Sequence, residues 1–195
     1  MLLTEAFYQR PDVTRIARDL LGKALFTRID GKTTAGLIVE TEAYSWKERG
    51  CHAYDNRKTA RNAVMFGEGG HAYVYLCYGM YNLFNVVTNR EGMADAVLIR
   101  ALEPVEGLAV MQKRTGARQP HRITSGPGKL TRALGIDRKH NGVALTSRQV
   151  WLEDAGMRVS RGMTQASPRI GIDYAGEDAL LDWRYTIKDN LWVSK

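Results

Sequence analysis

The chain has 195 residues, 44% of them hydrophobic, which is enough for one sizeable core and predicts a single domain over residues 1–195. Its formal net charge of +7 favours an anionic partner, although a basic protein without such a partner would look the same. Cys51 and Cys77 form no C-x-x-C motif, and no His/Cys cluster has zinc-ligand spacing. We therefore expect free thiols in a reducing compartment, with no metal and no cofactor.

Residues 1–12 lack the cationic start and the long apolar run of a secretory signal peptide. The uncharged stretch 71–89 contains three asparagines and four tyrosines, which makes a membrane helix implausible. We expect no membrane partner and a cytoplasmic protein, or a nuclear one if the source is eukaryotic.

The first predicted helix begins at Pro11-Asp12 and ends at Gly22. Its apolar residues recur at helical spacing and predict a buried face: Val13, Ile16, Ala17, Leu20 and Leu21. Strands at residues 23–29 and 33–44 then flank Asp30-Gly31, a dipeptide typical of hairpin turns.

The second of these strands ends in two glutamates and a tyrosine. The strand period of two places Glu40, Glu42 and Tyr44 on one face. Two carboxylates so close repel each other, so at least one should pair with a cation or have a raised pKa. A solvated polar face would give the same pattern, and periodicity does not choose between the glutamates.

Residues 45–62 are polar and irregular, and loops of this length inside a compact domain are often functional. They contain His52 and Arg61, although a lone histidine is more often a structural hydrogen-bonding residue than a catalytic base.

Residues 71–89 are rich in β-branched and aromatic residues and are interrupted at Tyr78-Gly79, which predicts two strands and a tight turn. Hairpin turns usually carry Asn or Asp beside the glycine, so a tyrosine there needs an explanation. Either Tyr78 folds back onto its own sheet, or it inserts between stacked bases as minor-groove wedges do.

Residues 94–100 predict an apolar strand that ends in Arg100. That arginine is either a snorkelling surface residue or the partner of a buried carboxylate. Pro104 is then expected to begin a helix through Leu108 and Met111.

Residues 111–139 contain eight basic residues and a single acid, Asp137. They surround the glycine-rich turn 125–129, which leads into a helix and whose backbone N–H groups, beside Lys129, can bind a phosphate. A merely solvated charged face is the alternative, and the P-loop spacing is missing. Beyond this stretch, short strands are expected at residues 149–153, 169–172 and 184–187, so the chain predicts a mixed α/β (α+β) fold on an antiparallel sheet.

Five blocks of this sequence, in the same order, resemble the alkyladenine (3-methylpurine) DNA glycosylases. The blocks are IVETEAY (38–44), NAVMFGEGGHAYVYLCYGMYNLFNVV (62–87), AVLIRALEP (96–104), ITSGPGKLTRALGI (123–136) and SPRIGIDYAGE (167–177). The first two are far more specific than a short pattern match.

The resemblance implies a monofunctional N-glycosyl hydrolase that flips damaged purines out of double-stranded DNA and starts base excision repair. The implied substrates are 3-methyladenine, 7-methylguanine, hypoxanthine and ethenoadenine. The implied structure is a monomer with a curved antiparallel sheet, flanking helices and a protruding DNA-inserting hairpin.

The resemblance also assigns roles to individual residues. Glu42 matches the carboxylate that activates water, and Arg100 matches an arginine that helps hold that water, together with a backbone carbonyl near residues 169–172. The residues that contact the flipped base are matched by Tyr44, His52, Tyr75 and Asn85, of which the last disfavours the exocyclic amine of normal guanine.

Tyr78 matches the residue that intercalates into the gap left in the base stack. Contacts to the DNA backbone are expected from Arg61, Lys129 and Arg132. Two departures from the family concern the base-pocket loop: the segment between Tyr44 and His52 is shorter than usual, and Ala60 stands where relatives often have proline. The resemblance therefore does not fix the base-edge contacts of residues 45–51.

Two other classes of protein share part of this pattern. A non-catalytic nucleic-acid-binding protein on the same scaffold is one, and the presence of Glu42 and Arg100 argues against it. A hydrolase of free nucleosides or sugars is the other, and the basic stretch and Tyr78 argue against it. The sequence identifies no acid that would protonate a neutral leaving base.

Overall fold

The computed structural model describes residues 1–194. In chain order its α-helices and strands are α1 (Glu5–Tyr8), α2 (Val13–Asp19), β1 (Ala24–Ile29), β2 (Lys32–Tyr44), β3 (Ala72–Cys77), β4 (Tyr81–Thr88), β5 (Asp95–Glu106), α3 (Leu108–Thr115), α4 (Pro127–Leu134), β6 (Val150–Glu153), β7 (Thr164–Ser167) and β8 (Arg184–Ile187). Short 3₁₀ helices lie at Tyr54–Asn56, Ala63–Phe66, Pro120–Arg122, Arg138–His140, Arg161–Met163 and Asp173–Leu180.

The strands form one eight-stranded antiparallel sheet organised around β2. Its main path runs β3-β4-β5-β2-β1-β6. Strand β5 pairs along one edge of β2, while β1 and β8 pair with successive parts of the other edge and β7 pairs with β8. The β2–β5 register shifts on both sides of Glu40, an irregularity of the kind that often re-aims side chains beside a site. The predicted α+β class on an antiparallel sheet is confirmed.

Both predicted hairpins and the first helix are present. Asp30-Gly31 joins β1 to β2 with positive φ at both residues, and Tyr78-Gly79 does the same between β3 and β4. The predicted apolar face of α2 is buried, and Asp12 caps that helix by accepting two backbone N–H groups.

The helix expected to begin at Pro104 is wrong, because β5 continues through Pro104 to Glu106 and α3 begins at Leu108. Strand β4 pairs only with residues 95–98 of β5, and the pairing with β2 is irregular opposite Pro104. A strand tolerates a residue without an N–H at such a place. Gly107, in the left-handed conformation, then separates the strand from the helix.

The strand expected at residues 169–172 is also wrong. Those residues are irregular, and the neighbouring strand is β7, at Thr164–Ser167. Their backbone and side chains are directed at carboxylates instead, because Ile170 donates its N–H to Glu42 and Arg169 pairs with Glu48.

Two apolar clusters stabilise the fold. The larger one packs α2 and α4 against the centre of the sheet. The smaller one lies under the 45–62 loop and includes Cys51, Met65, Phe66 and Tyr73. The loop therefore has a core of its own, which fixes its shape beside the sheet. Across residues 1–194, every helix falls short of the length and hydrophobicity that a bilayer crossing requires.

Candidate functional site

A cavity of about 690 Å³ opens between the β3–β4 hairpin, the 45–62 loop and the start of α4. Its walls combine segments that are far apart in the chain, including the ends of β2 and β5 and residues 170–172. Eight of the ten predicted site residues line it: Tyr44, His52, Arg61, Tyr75, Tyr78, Asn85, Arg100 and Lys129. Of the other two, Glu42 lies behind Tyr44 and Arg100, and Arg132 lies outside the cavity wall.

Glu42 is fully buried and accepts three hydrogen bonds. Its Oε2 accepts from the Tyr44 hydroxyl at 2.8 Å and from Arg100 Nη1 at 3.2 Å. Its Oε1 accepts from the backbone N–H of Ile170 at 2.7 Å. A carboxylate has about four acceptor positions, so these donors leave one unfilled. The geometry suits a carboxylate that is fixed in place and keeps one acceptor position free.

Glu40 is equally buried, but its surroundings are different. Its Oε1 accepts from Arg100 Nε at 3.0 Å, from Arg184 Nε at 2.7 Å and from the Ser194 hydroxyl at 2.8 Å. Its Oε2 accepts from the Ser194 N–H at 2.7 Å. Four hydrogen bonds, three of them to Oε1, hold this carboxylate, one more than Glu42 accepts. The structure thus separates the two glutamates that strand periodicity left equivalent.

Arg100 bridges the two carboxylates and is 7% exposed, so the snorkelling interpretation is wrong. Burial lowers the pKa of Arg100, but the charges of Glu42 and Glu40 more than offset that effect, so its pKa is raised overall. Burial and the charge of Glu42 raise the pKa of Tyr44 well above its usual range. The Tyr44 hydroxyl therefore stays protonated and donates a hydrogen bond to Glu42.

Aromatic rings form another part of the cavity wall. His52 lies edge-on to Tyr75 with ring centroids 4.6 Å apart, and its Nδ1 is 2.9 Å from the Tyr73 hydroxyl. His52 is exposed where it lines the cavity, but desolvation by the protein around it, together with the charge of Arg61, lowers its pKa to about 4. The imidazole is then neutral at pH 7, so it offers stacking and hydrogen bonding rather than a proton. Nearby, Asn85 Nδ2 donates to the Tyr73 carbonyl at 3.1 Å, which fixes the orientation of that amide.

Comparison with known proteins agrees with this geometry. A sequence model of the family described as "Methylpurine-DNA glycosylase (MPG)" matches residues 6–191. The chain belongs to the methylpurine-DNA glycosylase family.

Relatives of similar length match throughout. The chain is 50% identical over 197 residues to a protein of Methanocella arvoryzae (100% of this chain, 96% of that one). It is 47% identical over 195 residues to one of Carboxydothermus hydrogenoformans (100% of each) and 47% identical over 189 residues to one of Chlamydia felis (95% of this chain, 96% of that one). Each carries the name "Putative 3-methyladenine DNA glycosylase". The chain is accordingly a DNA glycosylase, an enzyme of DNA repair.

The tip of the β3–β4 hairpin is the most exposed aromatic part of this glycosylase. Tyr78 is 83% exposed and has a φ of 49°, so it does not fold back onto the sheet. Met80 and Tyr81 beside it are 70% and 50% exposed. A tyrosine with positive φ is strained, and such strain is most often found at functional positions. The exposure agrees with the wedge interpretation, which stays a prediction.

The three basic residues expected at the DNA backbone have different surroundings. Lys129 is exposed at the rim of the cavity, in the first turn of α4. Arg132 is exposed on the same helix, and its Nε donates to the Arg114 carbonyl at 2.8 Å. Arg61 lies in the cavity wall, with its guanidinium carbon 5.1 Å from the centroid of the Tyr75 ring. All three side chains are exposed, but only Arg61 lies over an aromatic ring of the cavity wall, and the backbone contacts stay predictions.

A buried ion pair that the sequence did not reveal holds the base-pocket loop in place. Arg169 Nη1 and Nη2 donate to the two carboxylate oxygens of Glu48 at 2.7 and 2.8 Å. The same guanidinium packs over the Tyr44 ring, 4.8 Å from its centroid. The next residue, Ile170, is the backbone donor to Glu42. This pair, which we call the loop clamp, thus positions both an aromatic wall residue and a donor to the buried carboxylate.

Sequence reasoning missed four residues that support the site: Glu48, Arg169, Arg184 and Ser194. Their partners lie more than a hundred residues away along the chain, so no local pattern reveals them. The available signal was electrostatic. Two carboxylates on one strand face favour a nearby cation, but that rule identifies neither the number of cations nor their positions in the chain.

Proposed function

We propose that this glycosylase flips damaged purines out of double-stranded DNA, hydrolyses the N-glycosidic bond and leaves an intact abasic strand for base excision repair. The observation that carries the proposal is the Glu42 carboxylate, held by Tyr44, Arg100 and the Ile170 N–H beside an aromatic cavity. We infer that the chain acts as a single-domain monomer and needs neither a metal nor a cofactor.

The chemistry requires negative charge next to the sugar. Cleavage builds positive charge on the deoxyribose, and the Glu42 carboxylate stabilises it. Glu42 accepts a proton from water while the water oxygen bonds to C1′, and the electron pair of the glycosidic bond leaves with the base. Arg100 keeps both the carboxylate and the water in position. Glycosidases use carboxylates for the same reasons.

The aromatic wall and the hairpin perform the recognition. Tyr44, His52 and Tyr75 hold the flipped base by stacking, while the fixed Asn85 amide disfavours the exocyclic amine of normal guanine. Flipping a nucleotide costs a few kcal/mol, and less at a damaged or mispaired base. Insertion of Tyr78 into the gap restores stacking and offsets part of that cost. Lys129, in the first turn of α4, and Arg132, in its last turn, supply phosphate contacts.

The substrates we propose are 3-methyladenine, 7-methylguanine, hypoxanthine and ethenoadenine in duplex DNA. The experiment is single-turnover base release from duplexes that carry one lesion each, with an undamaged duplex as control. We expect release from lesion duplexes only, with EDTA present, and an abasic strand that breaks only after alkali.

Three results would contradict the proposal in different ways. Absence of base release from every lesion duplex would indicate a DNA-binding protein that does not cleave the glycosidic bond. A covalent adduct trapped by borohydride would replace direct water attack by a lyase mechanism. Hydrolysis of free deoxyinosine without duplex binding in a gel-shift assay would indicate a nucleoside hydrolase.

A further inference from the structure

Arg61 is a cation placed among the rings that surround the proposed base site. It belongs to the 45–62 loop and lies in the cavity wall with His52 and Tyr75. Its guanidinium carbon is 5.1 Å from the centroid of the Tyr75 ring, within the range of a cation–π contact. The side chain is exposed at the opening of the cavity that the flipped base enters, and its guanidinium lies over a ring of the cavity wall.

The charge of Arg61 is not neutralised by a neighbouring carboxylate. Within residues 1–194, the arginines in ion pairs are Arg10, Arg15, Arg100, Arg169 and Arg184, and Arg61 is not among them. After burial, the charge of Arg61 is the second cause of the lowered pKa of His52. The positive potential of Arg61 therefore reaches the ring that contacts the base.

We propose that Arg61 is a specificity-determining residue that favours neutral damaged purines, such as hypoxanthine, over purines made cationic by N-alkylation, such as 7-methylguanine. The inference rests on the proposed excision of damaged purines and identifies a preference within that substrate class.

The physical reason lies in the charge of the base before and after cleavage. A cationic alkylated base brings a second positive charge next to the Arg61 guanidinium, and like charges repel each other. A neutral purine meets no such repulsion, and its ring nitrogens and carbonyl oxygen can accept hydrogen bonds from the guanidinium.

Cleavage increases the difference between the interactions of Arg61 with neutral and with cationic bases. The electron pair of the broken C1′–N bond moves onto the base, so a neutral purine develops negative charge and a cationic one becomes neutral. A guanidinium stabilises the negative charge that develops on the neutral purine. It gives no such stabilisation to the cationic purine, which becomes neutral. Arg61 thus stabilises the leaving base by its charge, as a general acid would by protonation, but transfers no proton. His52, which is neutral, carries no positive charge that could do the same.

The test compares kcat/KM for hypoxanthine and 7-methylguanine duplexes in the wild type, Arg61→Gln and Arg61→Lys. We expect Arg61→Gln to lower the hypoxanthine to 7-methylguanine ratio about tenfold, a difference of about 1.4 kcal/mol. Arg61→Lys keeps the charge and should retain most of the ratio. Arg61→Leu serves as a second uncharged variant, and thermal unfolding checks that each variant is folded. The effect of Asn85 on the 2-amino group of guanine cancels, because every variant keeps Asn85.

Lys58→Gln is the matched control. Lys58 belongs to the same loop but packs against Phe66, outside the cavity wall. Its removal changes the net charge by the same amount, so an unchanged ratio in this variant shows that position, not net charge, matters. A second readout is the pKa of His52 measured by NMR, which should rise in Arg61→Gln and stay constant in Lys58→Gln.

The inference is overturned if Arg61→Gln and Arg61→Leu keep the wild-type ratio. If kcat/KM then falls equally for both lesions, and the salt dependence of binding decreases by the contribution of about one phosphate, Arg61 contacts the DNA backbone. Both outcomes can be measured only if the wild-type enzyme is active. Failure of the wild type to release any lesion would instead overturn the proposed function, and this inference with it.

Discussion

The carboxylate network and the mouth of the cavity are built in opposite ways. In the network, Glu40 and Glu42 are completely buried, and each of their four side-chain oxygens accepts at least one hydrogen bond. At the mouth, large apolar side chains are open to solvent: Tyr78 is 83% exposed, Met80 70% and Tyr174 69%.

This difference separates chemistry from recognition. The charged groups are fixed before DNA arrives, and fixed charges stabilise a transition state without having to reorganise. The aromatic groups stay exposed, so that bases can stack on them when DNA binds. Substitutions in the network should therefore change the rate of excision or the stability of the protein, while substitutions at the mouth should change binding and lesion preference.

The largest effect is expected from Glu42→Gln, which breaks the network at its reactive carboxylate. Glutamine keeps the size of the side chain but cannot accept the proton from water or balance the charge of the sugar. Loss of a general base lowers the rate by about 10²–10⁴-fold, and loss of the electrostatic contribution takes the effect to the upper end or beyond. Single-turnover excision of hypoxanthine measures it, with binding to the same duplex expected to hold or tighten.

Glu40→Gln is the matched control for that experiment. Glu40 accepts four hydrogen bonds from Arg100, Arg184 and Ser194, so we expect a much smaller loss of rate and a larger loss of thermal stability. An inactive Glu40→Gln beside an active Glu42→Gln would mean that the catalytic carboxylate has been assigned to the wrong residue.

Glu48→Ala should have the next largest effect, because it leaves Arg169 buried without its partner. Removing one member of a buried ion pair costs about 3–5 kcal/mol in the free energy of unfolding. Denaturant unfolding measures the loss. The control is Asp154→Ala, which breaks the half-exposed pair with Lys23 and should cost at most about 1 kcal/mol. Equal losses in the two variants would show that the loop clamp does not stabilise the loop.

Tyr78→Ser should have an intermediate effect, confined to recognition. Loss of stacking by an aromatic side chain costs roughly 1–3 kcal/mol. We expect the preference for lesion over normal duplex to shrink by that amount, while binding to undamaged DNA persists. Tyr54→Ser is the control, because Tyr54 is an exposed tyrosine outside the cavity wall. Full discrimination in Tyr78→Ser would show that this residue is not the wedge.

The smallest effect is expected from Lys129→Gln. If Lys129 binds one phosphate, the slope of log affinity against log salt should fall by about 0.9 in this variant, with little change in lesion preference. Binding titrations between low and physiological salt measure the slope. An affinity of the wild type that does not change with salt would count against phosphate contacts altogether.

The sequence predicted correctly those turns and helix ends that a few adjacent residues determine. The Asp30-Gly31 and Tyr78-Gly79 turns, the capped helix α2 and the glycine-rich start of α4 were all predicted from a few adjacent residues. Pro104 was misread because proline at a helix start and proline at an irregular strand position have the same sequence signature.

The candidate site was predictable only in part. Strand periodicity placed Glu40 and Glu42 together but could not rank them, because their ranking depends on donors from β8, Ser194 and residue 170. The loop clamp joins residues 48 and 169, and no local pattern specifies such a pairing. The location of Arg61 at the cavity wall follows from how the 45–62 loop folds over its own small core.

The close approach of α4 to the hairpin has a consequence for how the enzyme meets DNA. A Cβ on Gly128 would lie 2.7 Å from the Tyr81 ring, so only glycine allows this contact, and Thr131 donates to the Asn82 carbonyl at 2.7 Å. These contacts tie the backbone that carries Lys129 to the hairpin that carries Tyr78, which limits the spacing between the two residues. If Lys129 holds a phosphate, that spacing sets a fixed number of nucleotides between the held phosphate and the inserted side chain. Footprints on duplexes with different lesions should then share one boundary relative to the damaged nucleotide.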